Sequence, residues 1–297
     1  MRFVSFLRND AQAVGLFDAD AGSVIPLREA EQRVLGQKNL PDCLHSLIGM
    51  GEKALDAVRA ILKSKSDALD RLPLASVALL APIPRPAKNV FCVGQNYLDH
   101  VNEIKLSNSA PEHPIFFSKL PTAVIGPDAP VDGHADLTQS LDYEGELAVV
   151  IGKKARKVAE KDALDYVFGY TILNDVTARN LQKRHGQWML GKGLDTFCPM
   201  GPYLTHSSLV PDPAKLRIET RVNGEIRQSA GVSNMIFSIP RIIACITQGI
   251  TLEPGDIIAT GTPSGVGAGF TPPKFLKKGD VVEISITELG SLRNTIA

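Results

Sequence analysis

From Asn89 to the C-terminus the chain breaks into short apolar runs: "NVFCVG", "PIFFSK", "TAVIG", "GELAVVIG", "GYTILN", "KLRIETRVNG", "DIIATG" and "DVVEISI". Glycine, proline and aspartate punctuate them. Runs this short and this rich in β-branched and aromatic residues read as strands. The regular strand–helix alternation that builds a doubly wound parallel sheet is missing, which restricts the chain to a strand-rich α+β fold. One helix is well marked. In "SIPRIIACITQG", Ser238 can cap, Pro240 suits an early helical position, Ile239, Ile242, Ile243 and Ile246 line one face, and Gly249 can stop it.

The beginning of the chain has a different character. "MRFVSFL", "AVGLF" and "SVIPL" read as strands joined through the turn "DADAG". Within residues 42–64, Leu44, Leu47, Ile48, Leu55, Val58 and Leu62 fall at helical spacing. "APIPRPAKN", residues 81–89, then concentrates three prolines, which cannot extend a helix and mark a boundary. The expected organisation is a small N-terminal α+β domain over 1–82 and a larger domain over 83–297.

With 297 residues the chain can bury a substantial core without staples. Lys and Arg total 32 and so do Asp and Glu, with no basic stripe, so the expected partner is neither nucleic acid nor an anionic membrane surface. A small, anionic molecule remains open. Cys43, Cys92, Cys198 and Cys245 are scattered without CxxC pairs, as suits reduced thiols. No apolar stretch approaches the roughly 20 residues that span a bilayer, and no secretory leader opens the chain. A soluble, cytoplasmic protein is expected.

Within this frame "LDYEGELAVVIG", residues 141–152, is anomalous, because it places Glu144 and Glu146 at the head of an apolar run. Alternation along a strand points both carboxylates the same way while Gly145 clears the other face. Two like charges held together raise each other's pKa or demand a cation, and hard oxygen pairs suit Mg²⁺ or Mn²⁺. A solvated strand edge is the competing reading. A third acid tips the balance: "GYTILNDVTARNLQ" runs from an apolar strand into Asp175, although Asn174 or Asp175 could also be an ordinary N-cap.

Other polar positions fit the same chemistry. "NYLDHVNE" sets His100 and Glu103 three apart, so in a helix the carboxylate can orient the imidazole as a base, or the two can sit on a solvated face. The polar "IKLSNSAPEHP" that follows suits a lid. Lys192 lies between glycines in "LGKGLD", where the backbone can approach a ligand and an ammonium could meet a developing oxyanion. Arg179 and Gln182 share one helical turn after Asp175, though a surface salt bridge would also account for Arg179. "ATGTPSGVG", residues 259–267, can turn backbone N–H groups and the Thr262 hydroxyl toward a carboxylate, or it is a tight turn. It is neither a P-loop nor a dinucleotide fingerprint. His185 reads as surface or as support, and Trp188 as core or pocket wall.

Taken together, "NVFCVGQNYLDHVNE", "LDYEGELAVVIG", "GYTILNDVTARNLQ", "GKGLDTFCPMGP", "VNGEIRQ" and "LEPGDIIATGTPSGVG" resemble the fumarylacetoacetate hydrolase superfamily from about residue 86 onward. The likeness is to a bacterial branch that includes oxaloacetate decarboxylases and acylpyruvate hydrolases. It implies a β-sandwich roll, a homodimer, Mg²⁺ or Mn²⁺ on Glu144, Glu146 and Asp175, a His100–Glu103 dyad with Lys192, and substrate contacts from Arg179, Gln182 and Thr262. The expected reaction is carbon–carbon cleavage of a small 2-oxo acid, by hydrolysis or decarboxylation through a pyruvate enolate. Isomerisation of an unsaturated 2-oxo or 2-hydroxy dioic acid ranks second, with ureidoglycolate cleavage or a catalytically silent binding relative as further alternatives.

Overall fold

The computed structural model describes residues 1–64, 69–104 and 110–297. Arg2–Arg8 (β1), Ala11–Asp18 (β2) and Ser23–Pro26 (β3) form an antiparallel meander. Leu27–Leu35 (α1), Leu44–Gly49 (α2) and Glu52–Lys63 (α3) follow, then the short strands Leu72–Pro73 (β4) and Ala78–Leu79 (β5). The stripe expected over 42–64 is two helices, because Gly51 takes φ +60° between them. Ile61, not Leu62, is the buried end of the α3 face, and Leu62 is 46% exposed.

After the proline-rich stretch come Val90–Gly94 (β6), Leu98–Ile104 (α4), Ile115–Lys119 (β7), Val124–Ile125 (β8) and Leu141–Asp142 (β9). The centre of the molecule is Gly145–Ile151 (β10), Val167–Asn174 (β11), Thr177–Ala178 (β12), the short helices Arg179–Arg184 (α5) and Met189–Lys192 (α6), and Cys198–His206 (β13). Arg217–Val222 (β14), Glu225–Gly231 (β15), Ile239–Thr247 (α7), Ile257–Ala259 (β16), Val281–Ile286 (β17) and Gly290–Thr295 (β18) complete it. As the sequence predicts, the Ser238 hydroxyl caps α7 by accepting from Arg241 N–H.

One mixed sheet runs β4-β3-β2-β1-β13-β11-β10-β16-β6-β7, and an antiparallel sheet ordered β15-β14-β17-β18 packs on the β10–β11–β13 region. Alternation along β10 explains why its run is apolar throughout. Leu147, Val149 and Ile151 join a core with Ile218, Val222, Ile284, Ile286 and Leu292 of the smaller sheet. Ala148 and Val150 face the opposite way, into a core shared with α1–α3. Burial on both sheet faces makes a continuous hydrophobic run, as in other doubly covered strands. The result is the expected mixed α+β, strand-rich sandwich.

The first eighty residues extend the large sheet, since β1 pairs with β13 through Phe3↔Leu204. The division we propose at 82/83 falls in the strand-free stretch after β5 and is crossed by that pairing. Residues 83–297 produced alone are expected to aggregate through the uncovered β13 edge; a soluble, folded fragment would show that the larger unit is independent.

Candidate metal centre and pocket

The carboxylates meet where β10 begins and β11 ends. Glu146 lies opposite Leu173 and Gly145 opposite Asn174, and Asp175 N–H extends the ladder by donating to Glu144 O at 2.8 Å. Directly opposed residues share a face, so Glu144 and Asp175 are cross-strand neighbours. One oxygen from each of Glu144, Glu146 and Asp175 lies within 4.8 Å of the others, and all three residues are buried. Gly145 faces the smaller sheet, where a Cβ would stand 2.3 Å from Thr220 Oγ1. The spacing Glu-Gly-Glu thus serves two faces at once. Asp175 caps no helix: α5 starts later, from Ala178.

Three buried cations surround this cluster. Lys192 Nζ lies 2.7 Å from Glu144 Oε2 and 2.8 Å from Asp175 Oδ2. Arg179 Nε donates to Asp142 Oδ2 at 2.8 Å and its Nη2 lies 2.8 Å from Glu144 Oε1, so it is no surface residue. Lys119, fully buried, pairs with Asp175 and donates to Val176 O at 3.0 Å. Against these stand Asp142, Glu144, Glu146 and Asp175, all buried, which leaves negative charge in excess. Glu146 has no ion-pair partner among the described residues and accepts a hydrogen bond from Gly261 N–H at 2.7 Å.

Neighbouring carboxyls are consequently pushed in opposite directions. Burial, then the Asp175 and Glu144 charges, raise Glu146 well above the usual carboxylate range. Burial would also raise Glu144, but Lys192, Arg179 and His100 outweigh it and bring it to about 2. Burial works against the Lys192 ammonium, and Asp175 and Glu144 overcome it to raise that group.

This donor set fits a divalent cation. Oxygens bound to one Mg²⁺ at about 2.0–2.1 Å can lie no more than about 4.2 Å apart, and the three oxygens here, within 4.8 Å of one another, are close to that span. Such an ion would supply the counter-charge that Glu146 lacks among the described residues. Glu144, Glu146 and Asp175 are the residues that would hold it.

Across the pocket, His100 is 4% exposed on α4, and its Nδ1 is 3.4 Å from Glu103 Oε2. Gly265 N–H donates to both Glu103 oxygens, at 2.9 and 3.0 Å. The pair is therefore built into the molecule and does not lie on a solvated face. The lid expected over 104–114 includes residues 105–109, which lie outside the described residues. A small pocket brings His100, Glu144, Glu146, Arg179, Gln182, Lys192 and Thr262 together with Val93, Gly94, Gln95, Ile104, Phe117 and Trp188.

A family model described as fumarylacetoacetate (FAA) hydrolase C-terminal matches residues 89–297. The chain belongs to the fumarylacetoacetate hydrolase family. It is 48% identical to oxaloacetate tautomerase YisK of Bacillus subtilis (strain 168), with the whole of both chains covered. The fumarylacetoacetate hydrolase from psychrophilic Exiguobacterium antarcticum superimposes with a TM-score of 0.84 at 40% identity, covering 100% of this chain and 99% of that one. Maleylpyruvate hydrolase from Sphingobium sp. SYK-6, in complex with manganese(II) ion and pyruvate, gives 0.78 at 32% identity, with 100% and 99% covered. No helix among the described residues is long and apolar enough to cross a membrane.

Within this family frame, two expectations need correcting. Gly191 does not open the backbone beside Lys192 to a ligand; a Cβ there would stand 2.5 Å from Gln182 N, so the glycine lets α6 pack on α5. The Thr262 hydroxyl lines the pocket but donates to Gly145 O at 2.9 Å and accepts from Gln228 Nε2 at 2.7 Å, so its proton is already committed. No motif in the sequence singles out Lys119, Asp142 or Gln95. Lys119 ends the apolar "IFFSK" as anomalously as Glu146 heads its own run. Gln95 lines the pocket at φ +56°, a conformation uncommon outside glycine and asparagine. Trp188 is pocket wall, edge-on to Phe117 with ring centroids 5.2 Å apart.

Proposed function

We propose that this protein interconverts the keto and enol forms of a small 2-oxo dicarboxylic acid, with oxaloacetate the first candidate. The observation that carries this reading is the end-to-end 48% identity to a protein named oxaloacetate tautomerase. It reverses the ranking drawn from the motifs, in which carbon–carbon cleavage stands first and isomerisation second.

Tautomerisation moves one proton between carbon 3 and the 2-oxygen and gains or loses no atoms. His100 would exchange the carbon-bound proton: Glu103 engages its Nδ1, which leaves Nε2 as the nitrogen free to act. The Lys192 ammonium, fixed at the pocket wall, would meet the negative charge developing at the 2-oxygen. Arg179 and Gln182 would orient the carboxylates, with Thr262 forming part of the wall beside them. A divalent cation on Glu144, Glu146 and Asp175 would supply Lewis acidity toward substrate oxygens. A homodimer and a cytoplasmic location belong to the same proposal, and light scattering on the purified protein tests the first.

The likeness to maleylpyruvate hydrolase keeps hydrolysis as a second reading, in which the same dyad would deprotonate water. One experiment separates them. Loss of the enol absorbance of oxaloacetate and release of pyruvate are followed in parallel, with Mg²⁺ or Mn²⁺ and with chelator, using Glu146→Ala to subtract background. Enol loss without matching pyruvate supports the tautomerase. Pyruvate formed in step with substrate loss, or pyruvate from acetylpyruvate, makes cleavage the main reaction, and failure to bind Mn²⁺ would favour a catalytically silent relative.

A further inference from the structure

Asp142 is a fully buried carboxylate that neither lines the pocket nor joins the three-carboxylate cluster. Its oxygens are nonetheless saturated. Oδ2 accepts from Arg179 Nε at 2.8 Å and from Ala268 N–H at 3.0 Å; Oδ1 accepts from Gly267 N–H at 2.6 Å and from Tyr143 N–H at 2.9 Å. Half of this acceptor capacity is therefore spent on the backbone of the glycine loop.

The same loop holds the dyad. Gly265 N–H donates to both oxygens of Glu103, and the Tyr143 hydroxyl donates to Gly265 O at 2.8 Å. A Cβ at Gly267 would stand 2.6 Å from Asp142 Oδ1, and one at Gly269 would stand 2.1 Å from Glu103 Cδ. The strip from 265 to 269 is thus pressed between two carboxylates, with Asp142 against one part and Glu103 against the other. Glycine is required where each contact is tightest.

We infer that Asp142 is a positioning residue that sets two parts of the site together: it holds Arg179 in the binding wall directly, and it holds Glu103, hence His100, through the loop. The inference rests on the proposed role of the dyad as proton carrier. Asp142→Asn removes the charge and presents an amide where N–H donors converge, so the strip must shift. A misplacement of about 1 Å at a proton-transfer group can cost about 100-fold in rate.

The test is a double-mutant cycle on the Mg²⁺-loaded protein with oxaloacetate, combined with amide hydrogen exchange. Asp142→Asn is expected to lower kcat about 10- to 100-fold, and to lower it clearly less in the Glu103→Gln background, where only the hold on Arg179 is left to lose. Exchange protection is expected to fall in residues 265–268 and also in α4, residues 98–104. Losses in kcat that multiply, or protection lost only in 265–268, would overturn the inference. Should Asp142→Asn fail to fold, Gly267→Ala keeps every charge while pressing a methyl on both Asp142 Oδ1 and Lys274 O, which also displaces the strip from Asp142, and the same outcomes decide. A wild-type protein that leaves oxaloacetate unchanged would refute the tautomerase reading, and the exchange measurement would still judge the coupling.

Discussion

The two walls of the pocket are held in different ways. On the sheet wall, Glu144, Glu146, Asp175, Arg179 and Lys192 stand at the ends of core strands and on two short helices, none more than 6% exposed, with ion-pair contacts of 2.7–2.8 Å tying Arg179 and Lys192 to the acids. On the helix wall, His100 meets Glu103 across 3.4 Å, and Glu103 is anchored by the Gly265 amide. Geometry on the first wall is inherited from the core, whereas on the second it depends on one helix and one loop. Substitutions on the sheet wall should therefore cost folding and activity together, and those on the helix wall activity alone.

The comparison can be broken most forcefully at Lys119. Lys119→Ala leaves Asp175 short of a counter-charge in a dry interior, and the expected loss is about 3–5 kcal/mol in urea unfolding, with activity lost as well. A fully stable variant would show that the sheet wall does not depend on its charge pairing. His100→Asn is the matching change on the other wall. It should lower kcat/KM about 10²- to 10⁴-fold while shifting stability by less than about 1 kcal/mol; a comparable fall in stability would erase the distinction between the walls.

A third measurement sharpens the comparison within the sheet wall. Glu146 is raised in the folded protein, so its contribution is present at low pH and is lost as pH rises through its folded pKa. Glu144 is lowered to about 2, so its contribution is present above the ordinary carboxylate range and is lost as pH falls toward 2. In chelator, thermal stability should therefore decline as pH rises above the ordinary carboxylate range, and Glu146→Gln should flatten that limb only. Mg²⁺ should raise the melting temperature more at the alkaline end than at the acidic end, with proton release on binding. The smallest effect is expected at Gly145→Ala, where a methyl pressed on Thr220 should cost about 1–3 kcal/mol.

The sheet wall was far more legible in the sequence than its supports. Glu144 and Glu146 stood out because charge inside an apolar run is costly, and period-two alternation alone put both on one face. The helical spacing of His100 and Glu103 likewise survived folding. Lys119 was missed because its partner Asp175 lies 56 residues away, and a lysine at the end of a strand ordinarily reaches solvent. Asp142 was masked by its more conspicuous neighbours, and half of its partners, the amides of Gly267 and Ala268, have no side-chain signature. Among the strands, β13 carries two prolines and a glycine in "CPMGPYLTH", while β15 exposes Glu225 and Ser229 and β18 exposes Ser291 and Arg293, so none shows the apolar run that betrays β10 or β11.

Trp188 is the only tryptophan in the chain, and it is part of the pocket wall beside Phe117, over whose ring the Lys192 ammonium sits at 5.0 Å. Its ultraviolet emission is consequently a single-site optical signal, free of contributions from any other indole. Occupancy of the pocket by a non-reacting diacid can be titrated from that emission at equilibrium, independently of turnover, in the native sequence and without an attached dye.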